Sequence, residues 1–339
     1  MAKGTIAVEE ATIDPGSVAS LGRWIKLLEP GADHEAALTA HRKRLQDICE
    51  DRLKQMDEEG VEYMLLSITS PGPQGEQDQA TAEKMAKDSN DWLAGQVAKK
   101  PDRFGALAAL SMHSPEQASA ELQRAVKTLG MFGALVNDYQ TTGLEGTGKE
   151  YYDTEKYDPF WKVVEELDVP VYFHPRYPQE LGPADPWGAR RHLIGAAVSF
   201  HIDLSYHIYA MCSSGTFDRF PNVKIVVGHL GENIPFNLWR ACHWYNKPSK
   251  KATRPSKHDY KHYFKTNVYI TTSGNFNTRG LKFCIEELGV DRCLYSIDTP
   301  YDAIIDGQTW WRSVDIPEDQ KRDVGRRNAI RLFKLPLEL

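Results

Sequence analysis

The chain has 339 residues, of which 41% are hydrophobic, and its 41 basic and 47 acidic residues give a formal net charge of −6. This composition excludes collagen-like, coiled-coil and wholly disordered chains, and the mild negative charge argues against nucleic acid as the main partner. No run approaches the roughly 18 apolar residues of a membrane helix, and the N-terminal MAKGTIAVEEATIDP lacks the apolar core of a signal peptide. The five cysteines form no CxxC pair, which is typical of reduced thiols. We therefore expect a cytoplasmic protein.

Eight short apolar, β-branched segments follow one another along the chain. They cover residues 5–8, 63–68, 104–110, 133–136, 169–173, 223–227, 268–271 and 293–297. Continuous apolar runs, unlike alternating ones, predict strands of a parallel sheet that are buried on both faces.

Helical patterns separate these segments. The pattern over 114–130 begins with Ser-Pro-Glu-Gln and ends at a glycine. Further helices are predicted at about 33–59, 89–99, 153–167, 236–245, 278–288 and 317–333. Eight strands alternating with helices predict a TIM-type (β/α)8 barrel, as a single domain over residues 1–339. An open doubly wound sheet is the alternative, but no GxGxxG follows the first strand, as a dinucleotide fold requires.

A basic stretch, NKPSKKATRPSKHDYKH at 246–262, lies between predicted strands six and seven. We expect a loop insertion there that is solvated or contacts another subunit; a funnel for anions is the alternative. Trp239 and Trp244 precede this stretch and would suit a subunit interface or the core of a monomer equally well.

The chemistry of a barrel is carried at the C-terminal ends of its strands, so the residues there are candidate site residues. These positions hold Glu9, Glu10, Ser70, Ser111, His113, Asn137, Asp138, His174, His229, Thr272, Ser273 and Asp298. A polar residue at one strand end is the default, because the strand meets solvent there. Here, however, most of the strands end in residues that can bind a metal or transfer a proton. This number predicts a functional site on the rim.

Glu9, His174 and Asp298 follow predicted strands one, five and eight. Two carboxylates and one imidazole form a three-ligand set with open positions for water or substrate, as a catalytic divalent ion needs. The oxygen-rich set favours Mg²⁺ or Mn²⁺, and Zn²⁺ is the alternative. Each residue taken alone is equally consistent with an ordinary hydrogen-bonded strand end.

His229 lies in VVGHLGENIP, three residues before Glu232. If Gly231 or Asn233 opens the next helix, the Glu232 carboxylate can fold back and hold the imidazole, which fixes its tautomer and raises its basicity. The alternative is a helix-capping carboxylate beside an unrelated histidine.

AVEEA, SPGPQG, ALSMH, GALVND, YFHP, GHLGE, TTSGN and SIDTPYD occur in this order along the chain. Together they resemble the metal-dependent decarboxylases of the amidohydrolase superfamily, above all the fungal 2,3-dihydroxybenzoate decarboxylases, with salicylate and γ-resorcylate decarboxylases as near relatives. The resemblance implies an amidohydrolase-type barrel. It implies that Glu9, His174 and Asp298 bind the metal, and that His229 and Glu232 are the catalytic histidine and its carboxylate partner. Where the wider family has EEH, this chain has Ala11, which favours Mg²⁺ over Zn²⁺ because the site has one nitrogen fewer.

The activity implied is non-oxidative decarboxylation of an ortho-hydroxybenzoate, foremost 2,3-dihydroxybenzoate to catechol and CO₂. The alternatives are salicylate or γ-resorcylate as substrate, a metallohydrolase in which the ion activates water, and an inactive binding protein on the same barrel. Direct loss of CO₂ would leave an aryl anion that the ring cannot delocalise, so a proton must reach the ring carbon first. Asp298 is the expected proton donor, assisted by His229. A homotetramer or dimer is expected from the resemblance.

Overall fold

A computed structural model describes residues 4–18, 34–178, 181 and 185–339 of the chain. Every apolar segment predicted as a strand contains one. The strands are Thr5–Thr12 (β1), Val61–Ile68 (β2), Phe104–Ala106 (β3), Ala108–Ala109 (β4), Ala134–Asn137 (β5), Gln140–Thr142 (β6), Gly148–Glu150 (β7), Val171–His174 (β8), Ile225–Val227 (β9), Val268–Thr271 (β10) and Cys293–Leu294 (β11). β6 and β7 form an additional antiparallel hairpin.

The other strands form a parallel ring in the order β1-β2-β3 and then β4-β5-β8-β9-β10-β11. β3 and β4 are two pieces of one predicted strand, and between them the Leu107 amide donates to Leu66 O at 2.9 Å. The ring closes between the segment after β11 and β1 through individual bonds, including Ala11 N to Thr299 O at 2.7 Å and Glu9 N to Ser296 Oγ at 2.8 Å. We call this contact the closing seam. The predicted (β/α)8 barrel is confirmed.

The helices cover the outside of the barrel. They are His34–Gln46 (α1), Asp51–Glu59 (α2), Gln79–Val97 (α3), Pro115–Lys127 (α4), Asp158–Leu167 (α5), Ser199–Ser213 (α6), Thr216–Arg219 (α7), His229–Glu232 (α8), Ile234–Tyr245 (α9), Pro248–Lys251 (α10), Tyr260–Thr266 (α11), Thr278–Leu288 (α12), Ile304–Ser313 (α13), Glu318–Arg322 (α14) and Asn328–Phe333 (α15). Among the described residues, no helix is both long and apolar enough to cross a membrane.

Several predicted boundaries were wrong. The helix expected over 33–59 is two helices, α1 and α2, because the Asp47 carboxylate accepts from the amides of Glu50 and Arg52 and breaks the pattern; residue 33 itself lies outside the described residues. The basic stretch at 246–262 is not a simple loop, since it contains α10 and the start of α11.

Trp239 and Trp244, which the sequence allows at a subunit interface or in the core of a monomer, are 73% and 56% exposed. They do not belong to the core of this chain.

The C-terminal end of the chain leaves only one face of the barrel available for a site. Inward-facing residues of the strands, such as Ile6 and Leu65, pack with Ile330, Phe333 and Leu335 in one buried cluster. The last helix therefore covers the N-terminal ends of the strands, and the opposite rim is where a site can form.

Candidate active site

Glu9 faces the barrel interior because β1 contains a bulge. The register of β1 on β2 shifts between Ala7 and Glu10, so that Val8 and Glu9 together lie opposite the single residue Leu65 of β2. Val8 lies in the cluster inside the barrel, and Glu9, which simple alternation would turn outward, also points into the mouth. Bulges re-aim side chains in this way at the rims of barrels.

Four of the predicted site residues meet at this rim. The Oε1 atom of Glu9 lies 3.2 Å from His174 Nε2 and 3.7 Å from His229 Nε2. Asp298 completes the group, with its Oδ2 atom 3.8 Å from His229 Nε2. His174 is the last residue of β8, His229 follows β9 after one glycine, and Asp298 lies four residues beyond β11.

The two oxygens of the Glu9 carboxylate have different surroundings. Its Oε2 atom accepts a hydrogen bond from the Tyr172 hydroxyl and lies 3.4 Å from Thr271 Oγ1. Its Oε1 atom is buried and has no hydrogen-bond partner of good geometry among the described residues. Burial alone would raise the pKa of Glu9, but the charge of His229 and the contact with His174 lower it to about 2. Glu9 therefore presents a negative oxygen to two imidazoles.

His229 begins a short left-handed turn. His229, Leu230 and Glu232 have φ values of 54°, 59° and 52°. Residues other than glycine rarely adopt this backbone conformation. The turn brings the buried Glu232 Oε1 to 2.5 Å from His229 Nδ1. Glu232 thus contacts the histidine, as the orienting interpretation expects, and His229 Nε2 faces Glu9 and Asp298. Burial opposes a charge on His229, but Glu232, Glu9 and Asp298 together raise its pKa well above the ordinary value.

Asp298 has the opposite character to Glu9. Burial raises the pKa of Asp298 to about 6, although the contact with His229 opposes the rise. The pKa values of the two carboxyl groups therefore differ: Glu9 is an anion, and Asp298 retains its proton more readily. Such a pair suits one carboxyl for charge and the other for proton donation.

The cluster fits a divalent cation. Among the residues that the structure describes, Glu9, His174 and His229 are the group whose ligand atoms all lie within 4.8 Å of one another. The unpartnered Oε1 of Glu9 points at this centre, which is the behaviour of a metal ligand rather than of a hydrogen-bonded core carboxylate. A cavity of about 10 Å³ beside it is lined by Glu9, Ala11, Ser70, His174, Asp298 and Tyr301, among others.

This grouping differs in one respect from the predicted ligand set. His229, which the sequence assigns to proton transfer alone, lies as close to Glu9 as a ligand would. Asp298 is placed at the edge of the compact triple, on the side of His229. Ala11 also lines the cavity, and its side chain has no atom that could bind a metal.

Sequence reasoning missed several residues at the centre. Tyr172 lies two positions before His174 on the same face of β8, and strand alternation was the signal that could have found it. Gly228 and Gly274 make room for the site. A Cβ atom on Gly228 would lie 2.8 Å from Glu9 Oε2, and one on Gly274 would lie 3.2 Å from Asp298 Oδ2.

Other predicted rim residues maintain the surrounding loops instead. Asn137 donates to Pro71 O at 3.0 Å, and His113 Nε2 lies 2.9 Å from Glu76 O. Thr272 Oγ1 donates to Ser296 O at 2.9 Å, and Asp138 contacts the buried ring of His207. These groups therefore shape the rim without entering the centre.

A closed parallel barrel with carboxylates and imidazoles converging at its C-terminal rim belongs to the class of barrel enzymes with a metal centre. The amidohydrolase family model matches residues 32–335. The chain belongs to the amidohydrolase family.

Relatives of known activity are similar over nearly the whole chain. The γ-resorcylate decarboxylase of Rhizobium sp. strain MTP-10005 is 39% identical over 98% of this chain and 99% of its own length. A crystal structure of 2,6-dihydroxybenzoate decarboxylase complexed with 2,6-dihydroxybenzoate, 39% identical, has a TM-score of 0.90 and covers 98% of this chain and 100% of its own. A dihydroxybenzoic acid decarboxylase from Polaromonas sp. JS666, with bound manganese and 2-nitroresorcinol, is 38% identical, with a TM-score of 0.90 and coverage of 99% and 98%.

These similarities confirm the predicted superfamily and the prediction that the chain is a decarboxylase, a carboxy-lyase. They also support the predicted reaction class, non-oxidative decarboxylation of a hydroxybenzoate. The Rhizobium enzyme is named for γ-resorcylate and the first crystal structure for 2,6-dihydroxybenzoate, which is the same compound, whereas the motifs favoured the 2,3 isomer. These similarities therefore support γ-resorcylate, one of the alternative substrates, better than 2,3-dihydroxybenzoate.

Proposed function

We propose that this protein is a manganese-dependent decarboxylase of γ-resorcylate, which it converts to resorcinol and CO₂. The observation that carries the proposal is the buried Oε1 of Glu9, which has no well-formed hydrogen bond from the described residues and lies 3.2 Å from His174 Nε2 and 3.7 Å from His229 Nε2, while Asp298 Oδ2 lies 3.8 Å from the same His229 Nε2. The 2,6 isomer carries a hydroxyl group at both positions next to the carboxylate, so either hydroxyl can pair with the carboxylate in binding. The similarity to γ-resorcylate decarboxylases over almost the full chain supports this choice.

Glu9, His174 and Asp298 would hold the ion, with His229 within reach of the same position. When bound, a divalent ion supplies positive charge that draws the carboxylate and one ortho oxygen of the substrate to the rim. Manganese suits a set of carboxylates and imidazoles, and the Polaromonas relative contains it, so we favour Mn²⁺ over the Mg²⁺ expected from the motifs. Tyr172 keeps the Glu9 carboxylate in place from behind.

Asp298 donates the proton. In the metal-free protein burial raises the pKa of Asp298 to about 6, which favours the protonated carboxyl, and Asp298 lines the cavity at the centre together with Glu9 and His174. The Asp298 proton goes to the ring carbon that bears the carboxylate, and the bond from that carbon to CO₂ then breaks and restores the aromatic ring. One proton is consumed for each CO₂ released. His229, oriented by Glu232, exchanges protons with Asp298 or the substrate hydroxyl.

A turnover assay over hydroxybenzoate isomers tests the proposal. The metal-free protein is loaded separately with MnCl₂ or MgCl₂ and given γ-resorcylate, 2,3-dihydroxybenzoate and salicylate, and the phenolic products are separated by chromatography. We expect resorcinol from γ-resorcylate to form fastest, and fastest with manganese. Faster formation of catechol would refute the substrate, and no product from any isomer would refute the function.

Asp298→Asn should abolish release of CO₂ while the protein stays folded. The matched control is Asp306→Asn, because Asp306 is an exposed aspartate eight residues further on, in α13. Turnover retained in Asp298→Asn would remove this residue from the proton path, and equal loss in the control would show that the assay reports folding.

A further inference from the structure

Glu10 lies next to Glu9 in the chain but belongs to a different environment. The bulge in β1 turns Glu9 into the mouth and leaves Glu10, which is completely buried, facing the closing seam. A buried carboxylate needs several donors to persist. Among the described residues, the hydrogen-bond donors to Glu10 all come from the segment that follows β11.

The three donors bracket Asp298. Glu10 Oε1 accepts from Ser296 Oγ at 2.8 Å and from the Ile297 amide at 3.0 Å. Glu10 Oε2 accepts from the Thr299 amide at 2.8 Å. The carboxylate therefore holds the residue on either side of Asp298 by its backbone.

Asp298 needs such support because its backbone is in an unusual conformation. Its φ is 83°, in the left-handed region, which a residue with a side chain adopts only when its surroundings enforce it. The bonds from Glu10 and the bond from the Ala11 amide to Thr299 O, at 2.7 Å, fix the chain on both sides. That conformation points the Asp298 carboxyl at His229.

We propose that Glu10 is a positioning residue which holds Asp298 in the orientation needed to donate its proton. Glu10 acts through the backbone of Ile297 and Thr299 and does not contact the metal centre. This proposal rests on the role of Asp298 under the proposed function. The geometry that Glu10 imposes on Asp298 is nevertheless a property of the protein without metal or substrate.

The Glu10→Gln variant tests whether Glu10 positions Asp298 or only helps to close the barrel. Glu10→Gln keeps the size of the side chain and one acceptor oxygen, but its NH₂ group must face either Thr299 N–H or the donors at 296 and 297, donor against donor. The seam keeps its other bonds, from Ala11 N to Thr299 O and from Glu9 N to Ser296 Oγ. We therefore expect a folded barrel with a displaced Asp298.

Thr5→Val is the matched control. Thr5 lies at the opposite end of β1, where its Oγ1 accepts from Gln308 Nε2 in a buried bond that also joins β1 to the C-terminal part of the chain. This substitution removes a hydrogen bond of similar burial without touching the segment around Asp298. Both variants should melt at a lower temperature than the wild type.

The test compares kinetics and structure. In Glu10→Gln we expect kcat to fall about 10- to 100-fold with KM little changed, since a displacement of about 1 Å in a reacting group can cost about 10²-fold. In Thr5→Val kcat should stay at the wild-type value. In crystals of metal-free Glu10→Gln, Asp298 should leave the left-handed region or its carboxyl should turn away from His229.

The following results would overturn the proposed role of Glu10 or test it in another way. Glu10→Gln with wild-type kcat, or with Asp298 unmoved in the metal-free crystal, would overturn the proposal. If Glu10→Gln does not fold, Glu10→Asp retains the charge but is too short to reach both sides of Asp298, and the same two measurements apply. If the wild type decarboxylates nothing, the proposed function fails, while the crystal structure of the metal-free variant still tests whether Glu10 positions Asp298.

Discussion

Adding a single methyl group at Gly228 tests whether the placement of Glu9 matters for activity. Gly228 has φ −69° and ψ −178°, which alanine adopts without strain, so Gly228→Ala acts through contact alone. The new Cβ would lie 2.8 Å from Glu9 Oε2, about 0.6 Å closer than ordinary contacts that begin at 3.4 Å. Tyr172 lies against the same oxygen, so Glu9 cannot retreat freely and its carboxylate must shift toward the centre.

The expected magnitude follows from that displacement. Overpacking of a buried site costs about 1–3 kcal/mol in the free energy of unfolding. A shift of about 0.6 Å in a metal ligand should lower kcat roughly 10-fold or more, because about 1 Å can cost about 10²-fold. The assays are decarboxylation of γ-resorcylate and titration of the metal-free protein with MnCl₂ by calorimetry, where binding should weaken.

Gly95→Ala is the control for this substitution. Gly95 is an exposed glycine inside α3, and a Cβ there would meet no atom of the described residues within 4 Å. We expect it to stabilise the protein by about 0.4–1 kcal/mol and to leave kcat unchanged. Wild-type kcat and wild-type affinity for Mn²⁺ in Gly228→Ala would refute the idea that the structure places Glu9 at a metal centre.

Further variants test the support around the centre. Tyr172→Phe removes the buried hydroxyl that donates to Glu9 and should weaken Mn²⁺ binding by about 1–3 kcal/mol, measured by calorimetry; unchanged affinity would contradict the role of this bond. Glu232→Gln keeps an acceptor for His229 Nδ1 but removes the charge, so kcat should fall about 10-fold in steady-state assays, and a variant as active as the wild type would separate Glu232 from catalysis. Removing divalent ions by chelation should stop turnover, and MnCl₂ should restore it; persistent turnover in metal-free protein would exclude a metal role.

The barrel was predictable because its strands are buried on both faces, and this leaves continuous apolar runs such as 223–227 in the sequence. The helices were harder to predict from the sequence. α6 was not predicted because, besides the buried Leu204, Ile208 and Met211, it carries exposed Ile202 and Tyr206, which obscure the amphipathic pattern. Its boundaries depend on packing that the pattern does not encode.

The residues of the candidate site could be proposed from the sequence, but their arrangement could not. Strand ends and family motifs pointed to Glu9, His174, His229, Glu232 and Asp298. That Glu9 faces inward depends on a bulge, and that His229 reaches Glu9 depends on a left-handed turn, neither of which has a clear signal in residue spacing. The support given by Tyr172 and Glu10 arises from contacts across the barrel between residues that are far apart in sequence.

Anomalous diffraction from crystals soaked in MnCl₂ is the most direct test of the central claim, that the rim cluster binds a divalent ion. Data collected on both sides of the manganese absorption edge locate the ion without reference to activity. We predict one strong peak in contact with Glu9, His174 and Asp298, which disappears in Glu9→Ala. A peak elsewhere on the protein, or none at this cluster with manganese in excess, would show that the cluster is not the metal site.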